Sequence, residues 1–308
     1  MKENIERYFI GIILLYTIIA YFYPSLFIPY QPFIPVGLGF IMFGIGINTP
    51  FISLTNTLSK THKIAGLVGL RYLFMPLCAC LLVYLFHLNE IQTIGLLVLS
   101  AAPGGTAANV MAYLAKSNVA LAVLLTFGST LVSPFLTPAI IYLTLHQQIS
   151  IHFWSMVLHI ATIVLIPIFA GLLFNRYQSP IINKLKNVMP TLSIFMIGFL
   201  IACIVALNQQ ALQLCSNKFI MAIICLNLMG YLIGYCTARF LQWDYPSQLA
   251  TAFDYGMFDA AVAMVICLTF FDKETAIPAV LISFLQNVTA PILIRLSKST
   301  YILRTKLN

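Results

Sequence analysis

Residues 100–109 read SAAPGGTAAN, and they interrupt an otherwise apolar run from 91 to 115. Residues 253–261, FDYGMFDAA, do the same to a run from 247 to 271. Each run is long enough to cross a bilayer, which takes about 20 mostly apolar residues. Each carries its breaker near the centre: Pro103, Gly104 and Gly105 in the first, Gly256 between two acids in the second. Proline removes a backbone donor and clashes with the preceding turn. Unwound backbone at membrane depth survives only where protein covers it or where it lines a cavity. The expected fold is therefore an all-α membrane bundle in which two broken helices cross at mid-membrane.

The rest of the chain fits a bilayer as solvent. Of its 308 residues 61% are hydrophobic and only 8% are charged, against about 25% charged in a soluble domain. Too little polar material is present to coat a water-soluble globule of this length. Ten stretches qualify as spans, near 8–27, 33–52, 64–87, 91–115, 118–145, 152–174, 188–207, 217–240, 247–271 and 275–297. The second holds four glycines and is closed by Pro50. The first is too long for a cleaved signal's apolar region and reads as a retained span. The connections are short, so residues 1–308 form one integral membrane domain.

Basic residues set the expected orientation. With the N-terminus in the cytoplasm, Lys2, Arg7, Lys60, Lys63, Lys116, Arg176, Lys184, Lys186, Arg239, Arg295, Lys298, Arg304 and Lys306 fall inside. Only Lys218 and Lys273 fall outside, and Arg71 lies within a span. That division predicts ten spans with both termini cytoplasmic, and the compactness of the chain suggests a bacterial inner membrane. The net charge of +8 does not point to nucleic acid, because the basic residues sit one to three at a time in short gaps rather than along one face. Seven cysteines, Cys78, Cys80, Cys203, Cys215, Cys225, Cys236 and Cys267, have no paired metal spacing and read as small packing residues. No metal site is assigned.

Five spans per half invert the second copy of a duplication. The fourth and ninth spans then correspond, both broken, and Thr137-Pro138 in the fifth matches Thr289-Ala290-Pro291 in the tenth. Half-helix N-termini at such breaks present free N–H groups and a positive dipole end, which suits an anion.

Three charged residues lie deep within spans: Arg71, Asp254 and Asp259. Each costs at least about 2.5–3.5 kcal/mol at a helix centre, so each is expected to face the interior and find a partner. Asp254 and Asp259 are five apart, and the helix break lets both reach one cavity. An Arg–Asp pair stapling the third helix to the ninth is the plainer alternative. Thr106, Asn109 and Thr126 on the fourth and fifth spans, with Gln286 and Asn287 on the tenth, complete a polar crossing point. A secondary transporter follows as the expected function. A channel usually needs a ring of subunits or a continuous polar path, and no HExxH or GxSxG motif suggests an enzyme. A sensor that binds an anion without moving it stays open, and no obligate protein partner is evident.

At these residues the sequence resembles the bile acid:sodium symporter family, including bacterial homologues of the apical sodium-dependent bile acid transporter. The matching stretches are APGGTAANVMAYLAKSNVALAVLLTFGSTLVSPFLTPAI (102–140), RYLFMP (71–76) and SFLQNVT (283–289). The resemblance implies a panel (about 8–52 and 152–207) rocking against a core (about 64–145 and 217–297). It implies organic anions, from bile acids to small carboxylates, as substrates, and two sodium ions at the crossing. For the first ion it implies Asn109, Thr126 and a carboxylate at 254, here Asp where Glu is usual. Ala108 and Ala122 stand where serines are usual. For the second ion, Arg71, Phe258 and Asp259 replace the usual glutamine, glutamine and asparagine. A guanidinium has five donors and no acceptor, so Arg71 is expected to act as a tethered cation in place of that sodium, paired with Asp254. Asp259 is left to exchange a proton. Coupling is thus to sodium, to a proton or to neither, and Thr106, Asn109, Asp259, Gln286 and Asn287 are the candidate substrate contacts.

Overall fold

A computed structural model describes residues 11, 15–48, 61–145, 152–177, 179–213 and 215–307. Eleven helices carry the architecture: α1 (Ile34–Asn48), α2 (Thr61–Phe86), α3 (Glu90–Ser100), α4 (Ala107–Leu114), α5 (Val119–Leu145), α6 (Phe153–Arg176), α7 (Pro180–Leu207), α8 (Asn217–Phe240), α9 (Tyr245–Gly256), α10 (Ala260–Phe270) and α11 (Ile277–Leu307). Residues 15–22 are helical as well. Among the described residues, seven helices are long and apolar enough to cross a membrane. The expected spans at 91–115 and 247–271 each appear as two shorter helices instead, α3 with α4 and α9 with α10. Part of the expected first span, Pro50, and the basic residues Lys2, Arg7 and Lys60 lie outside the described residues.

Local chemistry explains the boundaries. Asn89 caps α3 in a capping box, accepting from Gln92 N–H at 2.9 Å while its own N–H donates to the Gln92 side chain at 3.3 Å. Such reciprocal bonds satisfy donors that the first helical turn leaves without partners. Ser179 and Ser216 cap α7 and α8 with single side-chain bonds. Three helices end on a left-handed residue: His87, Lys116 and Gln242 have φ of 50°, 53° and 57°. The next N–H reaches back five residues in each case, as in Leu88 to Val83, Ser117 to Ala112 and Trp243 to Ala238. This bond pattern ends a helix and turns the chain sharply. It makes the connectors after α2, α4 and α8 short.

α1 packs between α6 and α7. The other helices pack on one another, with α8 along α9 and α2, α5 against α9 and α4, and α11 against α3, α8 and α10. Contact between the two groups runs through α10 and α11, and through α5 where it leads into α6. α6 contains one π turn, Ala161–Leu165, just ahead of Pro167.

Candidate functional site

The two breaks meet face to face. Gly104 and Phe258 form an antiparallel bridge; Gly105 N–H donates to the Met257 carbonyl at 2.8 Å and Asp259 N–H to the Pro103 carbonyl at 2.9 Å. Each unwound segment therefore supplies the hydrogen bonds that the other lost on leaving the helix, which buried backbone requires. Neighbouring helices satisfy the rest. The Ser129 hydroxyl accepts from Gly104 N–H at 3.1 Å, Thr137 donates to the Ala101 carbonyl at 2.7 Å, and the Asn227 amide donates to the Gly256 carbonyl at 2.8 Å.

Glycine is required here by close approach, not by dihedral angle, since no described glycine has positive φ. A Cβ on Gly104 would collide with Asp254 Oδ1, and one on Gly256 with the Tyr231 ring.

Beneath the crossing lies a cluster of oxygens. The Thr126 hydroxyl is 3.2 Å from Asn109 Oδ1 and 3.2 Å from Asp254 Oδ1, positioned to donate to either. Its single hydrogen cannot serve both fully, so three oxygens from α4, α5 and α9 converge with one proton among them. On the opposite side of Asp254, Arg71 of α2 approaches Oδ2 through Nε at 3.5 Å. Both side chains are fully buried. The guanidinium lies over the Phe258 ring, 5.4 Å from its centroid, and none of its three nitrogens meets a hydrogen-bond acceptor in the protein. Tyr72, next along α2, donates to the Ser129 carbonyl at 2.8 Å and ties that helix to α5.

The two acids are thus placed differently, rather than sharing a partner. Asp254 belongs to the Arg71 pair. Asp259 sits at the start of α10, where one carboxylate oxygen accepts from Val262 N–H at 3.2 Å. The N-terminus of α10 is consequently capped by the chain's own carboxylate. That of α4 has no side-chain cap: Thr106 occupies the cap position without such a bond, and Thr106, Ala107 and Asn109 are partly exposed. Gln286, expected among the substrate contacts, has another partner. Its amide accepts from Phe258 N–H at 3.0 Å and donates to the Phe258 carbonyl at 3.4 Å, acting as a third strand beside the bridge. Asn287 donates to the Ser283 carbonyl at 2.6 Å, and its Oδ1 is buried without a partner.

Gln286→Leu is expected to destabilise the protein by about 1–3 kcal/mol, the cost of leaving a buried peptide group unsatisfied. Thermal unfolding of purified protein reads this; an unchanged midpoint would mean that Phe258 needs no such clamp.

Among the described residues, no group of three or more His, Cys, Asp or Glu side chains is arranged to hold a metal ion. The roles of Phe258, Ser129, Asn227 and Tyr72 were not drawn from the sequence. Ser129 and Asn227 carry a faint signal, as polar residues inside apolar runs. Phe258 carries none in its own chemistry, because a phenylalanine in a membrane segment is unremarkable; only the family resemblance marks its position, without its contact to Arg71.

The model of the sodium bile acid symporter family matches residues 35–214, more than half the chain. The chain belongs to this family. It is 32% identical over 282 residues to a Bacillus subtilis protein named as a sodium-dependent transporter, YocS, covering 91% of this chain and 88% of that one. It is also 29% and 28% identical to probable chloroplast sodium/metabolite cotransporters of Oryza sativa and Arabidopsis thaliana, over 84% of this chain. It spans 64% and 65% of those plant proteins' length. Membership of the symporter family, with the apolar helices above, makes this an integral membrane protein of a sodium-dependent transporter family and not an enzyme.

Proposed function

We propose that this chain is a secondary transporter of organic anions, working by alternating access and coupled to one sodium ion, with Arg71 in the place of a second. In this reading it has ten spans in two inverted five-helix repeats, both termini cytoplasmic, in a bacterial inner membrane. The panel, with α1, α6 and α7, rocks against the core formed by the remaining helices. The separate packing of those two groups, joined through α10 and α11, supports a rigid-body motion.

The observation that carries the reading is the asymmetry around Asp254. One face of its carboxylate joins Asn109 and Thr126 in a cluster of oxygens; the other meets a permanent cation. Oxygens short of protons suit a hard cation. A guanidinium offers donors alone and holds its charge at any working pH. Ala108 and Ala122 add no ligands, so the rest of the sodium shell would come from backbone carbonyls, water or substrate. The substrate carboxylate fits the uncapped N-terminus of α4, where backbone N–H groups and the helix dipole favour negative charge.

A sodium titration of purified protein at constant ionic strength, balanced with potassium, tests this. Binding only to the folded state stabilises by about 2.7 kcal/mol at a hundredfold excess over Kd. The expected result is a saturable, sodium-specific rise in unfolding temperature that follows a one-site curve. Equal responses to sodium and potassium would overturn sodium coupling. Stabilisation by sodium without saturable flux in liposomes would make the protein a sensor or channel instead.

A further inference from the structure

We infer that the organic acid carried by this chain also bears a protonated amine, and that the amine is held at Asp259 while the carboxylate lies on the N-terminus of α4. This rests on the carrier reading above and narrows its substrate class to small zwitterionic acids.

The argument starts from charge. Three charged side chains are buried among the described residues: Arg71 and Asp254 at 0% exposure and Asp259 at 9%. One cation against two anions leaves the crossing with a single net negative charge. One sodium ion at Asn109, Thr126 and Asp254 neutralises it. A simple carboxylate arriving next would restore a net negative charge in a region where water is scarce, and an uncompensated buried charge costs several kcal/mol. A zwitterion adds no net charge.

The position of Asp259 gives that balance a geometry. Arg71 and Asp254 form the sole ion pair among the described residues, so Asp259 has no salt-bridge partner of its own and feels the same guanidinium only at longer range. One of its oxygens accepts the Val262 N–H, a bond that the helix needs whether or not substrate is present. Asn287 Oδ1 is a second acceptor, 95% buried as a residue and without any donor. It follows Gln286, whose amide clamps Phe258, the residue before Asp259. Two side-chain oxygens are too few to strip a sodium ion of its water, but they can accept two of the three donors of an ammonium group.

The opposite pole is close. Asp259 N–H bonds the Pro103 carbonyl, and Pro103 is three residues from Thr106 at the open end of α4. Three residues span no more than about 11 Å, so the backbone of Asp259 and the open end of α4 lie within a small molecule's length of each other. The crossing thus offers donors at one end and acceptors at the other, where a site for a plain carboxylate needs only donors.

The test uses full-length purified protein in saturating sodium chloride. Matched probes differ only in the amine: alanine against lactate, valine against 2-hydroxyisovalerate, β-alanine against 3-hydroxypropionate, and γ-aminobutyrate against 4-hydroxybutyrate. At least one amino acid is expected to raise the unfolding temperature saturably, with its hydroxy partner weaker by about tenfold or more. Asp259→Asn should remove that preference. Asparagine caps helices as well as aspartate does, so the variant should keep its fold, read as an unfolding temperature close to that of the native protein in sodium-free buffer. Hydroxy acids binding as tightly as their partners, or a preference unchanged in Asp259→Asn, would overturn the inference. So would silence from every probe while sodium still stabilises, an outcome that leaves the sodium-coupled reading standing. Loss of the sodium response itself would instead overturn the carrier reading from which the inference begins.

Discussion

Replacing Arg71 with methionine is expected to destabilise the protein by about 3–5 kcal/mol in sodium-free buffer, the usual result of breaking one side of a buried ion pair. Methionine has similar length and fills the space over Phe258, so little of the loss comes from packing. What remains is Asp254, fully buried, with one oxygen on Thr126 and the other facing no cation. Removing both charges, in Arg71→Met with Asp254→Asn, should recover much of the loss. Sodium should also recover it, because an ion can enter where the guanidinium was. Arg71→Gln goes further by restoring a side-chain oxygen, and its sodium response should become steeper than that of the native protein. Thermal unfolding across a sodium titration reads all four proteins. If Arg71→Met unfolds like the native chain at every sodium concentration, Arg71 is neither a partner of Asp254 nor a substitute for an ion.

The second large effect is expected at Gly104. Its missing Cβ leaves the room occupied by Asp254 Oδ1. Overpacking a well-filled interior costs about 1–3 kcal/mol, and Gly104→Ala should fall at the upper end of that range. The carboxylate cannot simply rotate away, since Thr126 and Arg71 engage its two oxygens. Any shift large enough to admit a methyl group also pulls Asp254 from Asn109 and Thr126, so sodium-dependent stabilisation should vanish with the stability. Gly69→Ala is the control. It lies in α2 two residues from Arg71, a Cβ there meets nothing within 4 Å, and alanine is favoured in a helix interior by up to about 1 kcal/mol. That variant should be as stable as the native protein or slightly more so. A Gly104→Ala protein that unfolds normally and still responds to sodium would separate the crossing from ion binding.

Much of this arrangement is legible in one dimension. Apolar runs, their lengths and their interruptions are local properties of a chain, and a bilayer makes them decisive because it leaves backbone groups no water to bond. The positions of Pro103 to Gly105 and of Gly256 therefore located both breaks. The cost of burying charge singled out Arg71, Asp254 and Asp259 in the same way, since a membrane segment tolerates such residues only for a reason. Thr126 and Asn109 stood out as polar residues in apolar surroundings.

Composition and periodicity alone do not settle how these residues divide among partners, because that depends on distances between segments far apart in the chain; the pairing of Arg71 with Asp254 is expected from the family resemblance. Asp254 and Asp259 are five residues apart and chemically identical. Folding pairs one with Arg71 on α2 and sets the other as the cap of α10. Gln286 read as a substrate contact by its polarity, yet tertiary packing lays its amide along Phe258. The family resemblance marks Phe258 as an apolar residue at the second ion's place, but only the crossing of two broken helices brings its ring beneath a guanidinium. Composition and periodicity record what a segment must avoid, which here is water on one side and unpaired charge on the other. Which partner relieves each charge is decided by three-dimensional proximity, and no spacing along the chain encodes it.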